Sequence, residues 1–239
     1  MDKSSSGLVT ASAAEAITTQ LRDRPPVNGV QCRSSLVALL RDARGVADRD
    51  LESGHVMDGH SSQSWLAAAA YLVLLDQIGS CFKRAGTPTP TTGTVVHALL
   101  SFSGVTRREA QALYALRNAL AHDYSLFNPN PNVDGLRHAF NYTADLRAPL
   151  VVFPANVWSG SYAAAPPPDE TTLVNLRKVG DVTEGVVEKL RELHASGDLE
   201  LLMSVDEFVW RYRLCFYVGP LGTSEPVAAT GVEPASSPV

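Results

Sequence analysis

The stretch from Ser61 to Arg84 constrains the fold more than any other part of the sequence. Large side chains recur in it near helical spacing, at Trp65, Leu72 and Ile78. Its alanine run adds little bulk, so a neighbouring helix can approach closely. The longest apolar run, "WLAAAAYLVLL", is too short to span a bilayer. The stretch therefore predicts a central helix within a helical body, and we expect no membrane partner.

Other segments have helical periodicity or helix-start signals, which together predict a mainly α fold. The predicted helices cover residues 11–22, 34–47, 95–102, 106–122, 169–195 and 204–218. The last is ambiguous, because Trp210, Tyr212, Leu214 and Phe216 also alternate as strand residues do. Between the helices, "LRHAFNYT" and "LVVFP" predict a β-hairpin over about 136–153, turning around Ala144–Arg147.

Length and composition favour one domain. The chain has 239 residues, 45% of them hydrophobic, enough for one sizeable core. Residues 1–10 and 220–239 are rich in small residues and proline, so they cannot repay their ordering entropy by burial. We expect two disordered tails around a single domain over residues 11–219.

Charge and cysteine content narrow the class of protein. A formal net charge of −5 argues against non-specific coating of nucleic acid, which needs many phosphate-neutralising cations. Cys32, Cys81 and Cys215 are odd in number and far apart, which favours reduced thiols and neither a disulfide framework nor a metal motif. The first residues lack the apolar segment of a secretory signal. We expect a cytoplasmic protein.

The segment "LYALRNALAHDYSL", residues 113–126, concentrates polar groups in an otherwise apolar helix. At about 100° per residue, Leu113, Leu116 and Leu120 form one ridge that should face the core. Asn118 and His122, four residues apart, lie together on the opposite side. This opposite face also includes Tyr114, Ala115 and Ala121, and it carries no full charge and little bulk. It therefore suits close packing against a second helix, including one from another protomer.

Arg117 lies about 140° round the helix from His122, so a straight helix cannot aim both at one small target. Two solutions are open. Either the last turn unwinds near His122, or a two-fold partner brings its own arginine and histidine to a shared cleft. The second solution predicts a homodimer.

The segment Arg117 to His122, "RNALAH", resembles the R-[polar]-x3-H signature of HEPN domains, small all-α proteins of prokaryotic toxin–antitoxin, abortive-infection and CRISPR systems. The resemblance implies a dimer with two facing motifs and, as in many members, a metal-independent ribonuclease. The helix over Ser61–Arg84 fits the long antiparallel partner helix that such a bundle requires. The hairpin and the C-terminal helices from residue 136 onward are additions to that core.

The continuation to Tyr124 is similar to the R-x4-H-x-Y variant of HEPN toxins that are paired with nucleotidyltransferase-like antitoxins. In those toxins the tyrosine is the target of adenylylation. The resemblance thus implies that Tyr124 binds substrate or is modified, and that an antitoxin is a candidate partner.

Residue chemistry agrees with RNA cleavage without a metal or another cofactor. Histidine can act as general base or acid near neutral pH, so His122 suits removal of the 2′-hydroxyl proton or protonation of the leaving oxygen. Arg117 supplies a fork-shaped cation for phosphate oxygens. Asn118 can orient the imidazole or bind substrate. The structural alternative is a surface ion pair at Arg117, a histidine favoured by the helix dipole and a core tyrosine at 124.

Other candidate residues are weaker. Arg107 and Arg108, with Lys83 and Arg84, can form a basic rim for RNA or simply a solvated face. His55, Asp58 and His60 have metal-binding side chains but no further clustered ligand, so we expect no metal site.

The sequence therefore predicts a mainly α, HEPN-like antiparallel bundle with a β-hairpin insertion and extra C-terminal helices. The predicted function is metal-independent RNA endonuclease in prokaryotic defence, stress or toxin–antitoxin biology. The alternative is a catalytically silent HEPN-like module that binds RNA or protein. A purely structural helical protein is a third class.

Overall fold

A computed structural model describes residues 12–22, 30–59, 63–131, 135–143 and 145–217. The tails predicted at 1–10 and 220–239 lie outside these ranges. Within them the helices are α1 (Ala13–Leu21), α2 (Ser35–Val46), α3 (Trp65–Cys81), α4 (Thr94–Phe102), α5 (Arg107–Asp123), α6 (Leu176–Ser196) and α7 (Val205–Tyr212). The strands are β1 (Val30–Ser34), β2 (Phe82–Arg84), β3 (Phe127–Asn128), β4 (His138–Tyr142), β5 (Val151–Val152), β6 (Thr171–Val174), β7 (Leu199–Leu201) and β8 (Arg213–Tyr217). The protein is mainly helical, with a small mixed sheet.

Helix α3 is the centre of the core, as the sequence predicts. It packs against α2, α4, α5 and α6, and Tyr71, Leu72 and Leu75 are buried in these contacts. The helix ends at Cys81 rather than Arg84 because the chain becomes extended at Phe82 and pairs with β7. No helix in the described ranges is both long and apolar enough to cross a membrane.

Helix starts follow local capping signals. The Thr106 hydroxyl accepts a hydrogen bond from the Glu109 amide at 3.3 Å, and the Glu109 carboxylate accepts from the Thr106 amide at 3.0 Å. This reciprocal capping box satisfies two otherwise unpaired helix donors. The predicted start of α5 is confirmed.

The predicted hairpin over 136–153 is wrong in its pairing. Strands β4 and β5 belong to one sheet, but the order is β3-β4-β6-β5, so β6 lies between them. β6 is parallel to β4 and antiparallel to β5. The Asn175 side-chain amide donates to the carbonyls of Asp145, Leu146 and Ala148, which fixes the returning loop beside β6. The inserted strand supplies both neighbours with backbone partners.

Two predicted C-terminal helices are shorter than expected, because part of each predicted range forms a strand instead. The helix predicted from Asp169 begins at Leu176, because residues 171–174 form β6 and Asn175 caps the helix. The helix predicted over 204–218 ends at Tyr212, and Arg213–Tyr217 form β8 antiparallel to β1. Of the alternating residues Trp210, Tyr212, Leu214 and Phe216, the last two therefore lie in a strand and the first two in a helix.

A buried charged cluster joins α2, α3 and α6. Nε of Arg44 donates a hydrogen bond to Oε1 of Glu184 at 2.9 Å, and Nη2 donates to Oε2 at 2.6 Å. The Tyr71 hydroxyl donates to the same carboxylate at 3.0 Å. Burial alone would lower the pKa of Arg44, but the hydrogen bond and charge of Glu184 outweigh it and the pKa is raised. Burial beside the Glu184 carboxylate also raises the pKa of Tyr71.

We expect the Cys81 thiol to be unreactive in the folded protein. Burial raises its pKa to about 11, against the partial opposing effect of hydrogen bonds with Tyr212 and Ser80. At about pH 8, roughly one thiol in a thousand is ionised, and the thiolate is the reactive form. Peptide mass spectrometry after iodoacetamide treatment should find Cys81 unmodified in native buffer and alkylated in urea. If Cys81 is alkylated in native buffer at the rate of a free thiol, its side chain is not buried in solution.

Candidate functional site

Helix α5 presents the motif as the leucine ridge predicts. Leu113, Leu116 and Leu120 are all buried in the core. The opposite face is only partly free, which corrects the prediction that all of it can receive a second helix. Ala115 is buried, and its carbonyl oxygen accepts a hydrogen bond from the Asn128 side chain at 3.2 Å. Strand β3 of the same chain therefore packs against the middle of α5.

Arg117 is the centre of a polar cluster between α3, α4 and α5. Its Nη2 donates to Oδ2 of Asp76 in an ion pair, and Nη1 donates to Oδ1 of Asn118 at 3.3 Å. The other Asp76 oxygen accepts from the Thr94 hydroxyl. About a quarter of each charged side chain is exposed, 24% for Arg117 and 23% for Asp76. Part of the cluster is thus in contact with solvent.

His122 is exposed at the end of α5, and the structure gives it no hydrogen bond or ion pair with any described residue. The helix stays regular through Asp123, so the last turn does not unwind to bring His122 toward Arg117. Arg117 faces Asp76 of α3, whereas His122 faces solvent. A single chain therefore brings Arg117 and Asn118 together but leaves His122 apart from them.

Tyr124 ends the motif helix in the left-handed region, with φ 47°. A positive φ is uncommon for a bulky residue such as tyrosine. Its amide donates to the Leu120 carbonyl at 3.1 Å, and its side chain is 59% exposed. The phenol is therefore accessible at the end of the helix, not a core aromatic as the structural alternative requires.

The predicted basic rim lies at the other end of α5. Arg107 and Arg108 are exposed, and the Arg108 guanidinium lies 3.9 Å from the centre of the Phe153 ring. At 1.5 Å per residue, Arg107 is about 22 Å along the helix from His122, so the two cannot contact one phosphate. Lys83 pairs with Glu200 at 2.7 Å. Only a substrate several nucleotides long could contact both ends of α5.

Sequence reasoning missed Asp76 and Thr94. The signal for Asp76 was present, because it is the one charged residue in the sequence of α3, "WLAAAAYLVLLDQIGSC". A carboxylate in such an apolar helix needs a partner from a neighbouring element. The signal does not name the partner, since Arg117 is far away in sequence.

No metal centre accompanies the cluster in the described ranges, where no group of three or more His, Cys, Asp or Glu side chains could hold an ion. His55 and Asp58 lie in the loop before α3, and His60 lies outside the described residues.

Comparison with known protein families, with curated proteins and with solved structures finds no match for this chain. The fold and the site define the class of this protein. It is mainly helical with a small mixed sheet, and it has a partly exposed arginine–aspartate–threonine cluster between α3, α4 and α5.

Proposed function

We propose that this chain is a HEPN-like, metal-independent RNA endonuclease of prokaryotic defence, stress or toxin–antitoxin biology, acting in the cytoplasm as a homodimer. The observation that carries the proposal is the placement of three motif side chains on one helix. Arg117 and Asn118 are in contact at a partly exposed edge, and His122 is exposed and unpaired in the described structure one turn further on. An antiparallel HEPN-type bundle around α3 and α5 is part of the proposal.

Each residue has a defined role in this proposal. His122 takes the proton of the RNA 2′-hydroxyl, and a second His122 in the dimer protonates the leaving 5′ oxygen. The products are a 2′,3′-cyclic phosphate and a 5′-hydroxyl. Arg117 stabilises the negative charge that builds up on the phosphorane. Asn118 holds the Arg117 guanidinium and binds substrate. The 2′-hydroxyl requirement makes RNA, not DNA, the substrate.

The second copy supplies what one chain lacks. In a monomer Arg117 and His122 point in directions about 140° apart, so one phosphate cannot reach both on the same straight helix. Two chains related by a two-fold axis can place the histidine of one beside the arginine of the other. The free surface for this contact is the C-terminal end of α5, where Ala121, His122 and Tyr124 are exposed.

The remaining motif neighbours take secondary roles in the proposal. Tyr124, exposed beside His122, is a contact for substrate or a target of adenylylation by an antitoxin of the nucleotidyltransferase type. Arg107 and Arg108 bind the backbone of the same RNA several nucleotides away, where exposed cations attract phosphates.

One observation favours the second candidate function, a silent HEPN-like module that binds RNA or protein. The charge of Arg117 is already balanced by Asp76 in the single chain. A module that only docks a partner needs no free cation at this position. Cleavage assays separate the two functions, because only the nuclease leaves cyclic-phosphate ends.

We expect His122→Ala to abolish RNA cleavage and leave helicity and oligomeric state unchanged. No described hydrogen bond or ion pair depends on the imidazole, and Ala121 and Tyr124 keep the proposed dimer contact. Purified proteins are incubated with tRNA and mRNA in EDTA, and the ends are tested for cyclic phosphate. His55→Ala, which removes another exposed histidine, is the matched control and should cleave like the wild type. Equal cleavage by His122→Ala would reject the catalytic assignment.

A complementation assay tests the shared cleft. The His122→Ala homodimer should be inactive, and the Arg117→Ala homodimer should keep only a weak residual activity. Mixed and allowed to exchange subunits, they form heterodimers in which one cleft holds one arginine and one histidine. The single His122 can return the proton that it takes from the 2′-hydroxyl to the leaving oxygen, so a small part of the activity should return. No recovery, with heterodimers shown by native mass spectrometry, would mean that each chain needs both of its own residues.

A further inference from the structure

We propose that Asp76 is a positioning residue of the ribonuclease site: it orients Arg117 toward substrate phosphate and is itself fixed by Thr94. The inference rests on the proposed function and adds two residues that lie outside the motif. It concerns a chain of contacts that runs from Thr94 on α4 through Asp76 on α3 to Arg117 on α5.

The donors of Arg117 show what Asp76 leaves available. A guanidinium carries five N–H groups. One on Nη2 goes to Asp76 and one on Nη1 goes to Asn118, while Nε is enclosed and has no hydrogen-bond partner. The second N–H on each terminal nitrogen has no bond among the described contacts. A guanidinium can donate two N–H groups to two oxygens of one phosphate, and this is the ligand that we propose for them.

Thr94 holds Asp76 from the opposite side. It is the first residue of α4, and the Thr94 carbonyl lies so close to Gly79 of α3 that a Cβ there would be 1.9 Å from its oxygen. The preceding Gly93 is packed on the Tyr114 ring of α5, where a Cβ would lie 3.0 Å from the ring. The three helices are therefore locked together around the carboxylate. Such a fixed neighbourhood can hold a side chain in one orientation.

Stability alone gives a weak reason for this ion pair. Both side chains are about a quarter exposed. Ion pairs near the surface contribute about 0–1 kcal/mol, and an apolar pair at a helix contact is often as stable. A charged residue in the otherwise uncharged α3 is better explained by the direction that it gives to Arg117.

The experiment compares cleavage by the full chain with and without each contact. Asp76→Asn keeps the shape and removes the charge that holds Arg117. We expect kcat/KM to fall by about 10- to 100-fold, since a small misplacement of a catalytic group costs up to about that factor. Thr94→Val, which lacks the hydroxyl, should show a smaller fall, and Thr94→Ser should cleave like the wild type. Glu200→Gln, which breaks the Lys83 pair, is the matched control for loss of a salt bridge.

A double-mutant cycle separates positioning from a structural role. If Asp76 acts through Arg117, Asp76→Asn should cause no further loss in an Arg117→Ala background. Urea unfolding of every variant is the control: each variant should be fully folded under the assay conditions. An additive loss in the double mutant would overturn the inference.

Two other outcomes are distinguishable. Wild-type protein that leaves RNA intact in EDTA overturns the proposed function, and this inference falls with it. A wild type that cleaves, together with an Asp76→Asn variant that is equally active or faster, leaves the function standing. It overturns the inference alone, and a faster variant identifies Asp76 as an anion that competes with substrate.

Discussion

Gly79→Ala is expected to destabilise the protein by about 3 kcal/mol, the upper end of the usual cost of adding a methyl group to a packed contact. The added Cβ would lie 1.9 Å from the Thr94 carbonyl oxygen and 2.6 Å from its carbonyl carbon. Both atoms are backbone, so no rotamer change can relieve the clash. Helix α4 must move away from α3, and with it the hydrogen bond from Thr94 to Asp76 weakens. Urea unfolding followed by circular dichroism measures the loss.

Gly185→Ala is the matched control, a glycine in the middle of α6. Apart from its chain neighbours and the nearby backbone of its own helix, no atom of the described residues lies within 4 Å of the added Cβ. There alanine should stabilise by about 0.5–1 kcal/mol, because glycine loses more backbone freedom on folding. A loss of unfolding free energy for Gly79→Ala together with a gain for Gly185→Ala would establish that the close contact between α3 and α4 causes the loss. A Gly79→Ala variant as stable as the wild type would mean that the two helices do not approach so closely in solution.

Glu184→Ala is expected to cost about 3–5 kcal/mol, the range for removing one partner of a buried ion pair. The Arg44 side chain is only 5% exposed, so it cannot regain water when the carboxylate is lost. Tyr71 loses its hydrogen-bond acceptor in the same substitution. The change leaves the buried Arg44 with the carbonyls of Leu51 and Glu52 but without a directly bonded carboxylate, and it leaves the Tyr71 hydroxyl unpaired.

Glu192→Ala is the control on the same helix. Its side chain is 59% exposed, and the carboxylate pairs with Lys189 three residues earlier. Surface pairs of this kind contribute about 0–1 kcal/mol, so the variant should unfold close to the wild type. If urea titrations show that Glu184→Ala and Glu192→Ala lower the free energy of unfolding by similar amounts, then the ion pair of Arg44 with Glu184 is not buried in solution.

The helices could largely be read from the sequence because their signals are local. Capping boxes, apolar spacing and proline positions act within a few residues, which is why the start of α5 is confirmed and α3 lies inside its predicted range, although it is shorter, Trp65–Cys81 rather than 61–84. The leucine ridge of α5 is buried for the same reason: helical geometry alone decides which side chains share a face.

The strands could not be paired in this way. Residues 136–153 contain two extended segments separated by a turn signal, and a hairpin is the simplest local arrangement of them. The partner that displaces it, β6, comes about twenty residues later and looks like the first turn of a helix in the sequence. Strand pairing depends on which segments the packed helices bring together, and no short window contains that information.

For the candidate site, the sequence by itself determined which groups share helix α5: a guanidinium, an amide and an imidazole at fixed angular spacing. Only the tertiary structure decided that Arg117 meets Asp76 and Thr94, that β3 covers Ala115, and that His122 remains exposed. The physical reason is that spacing along a helix is set by backbone geometry. The partner of a side chain is set by packing between segments that are far apart in the chain.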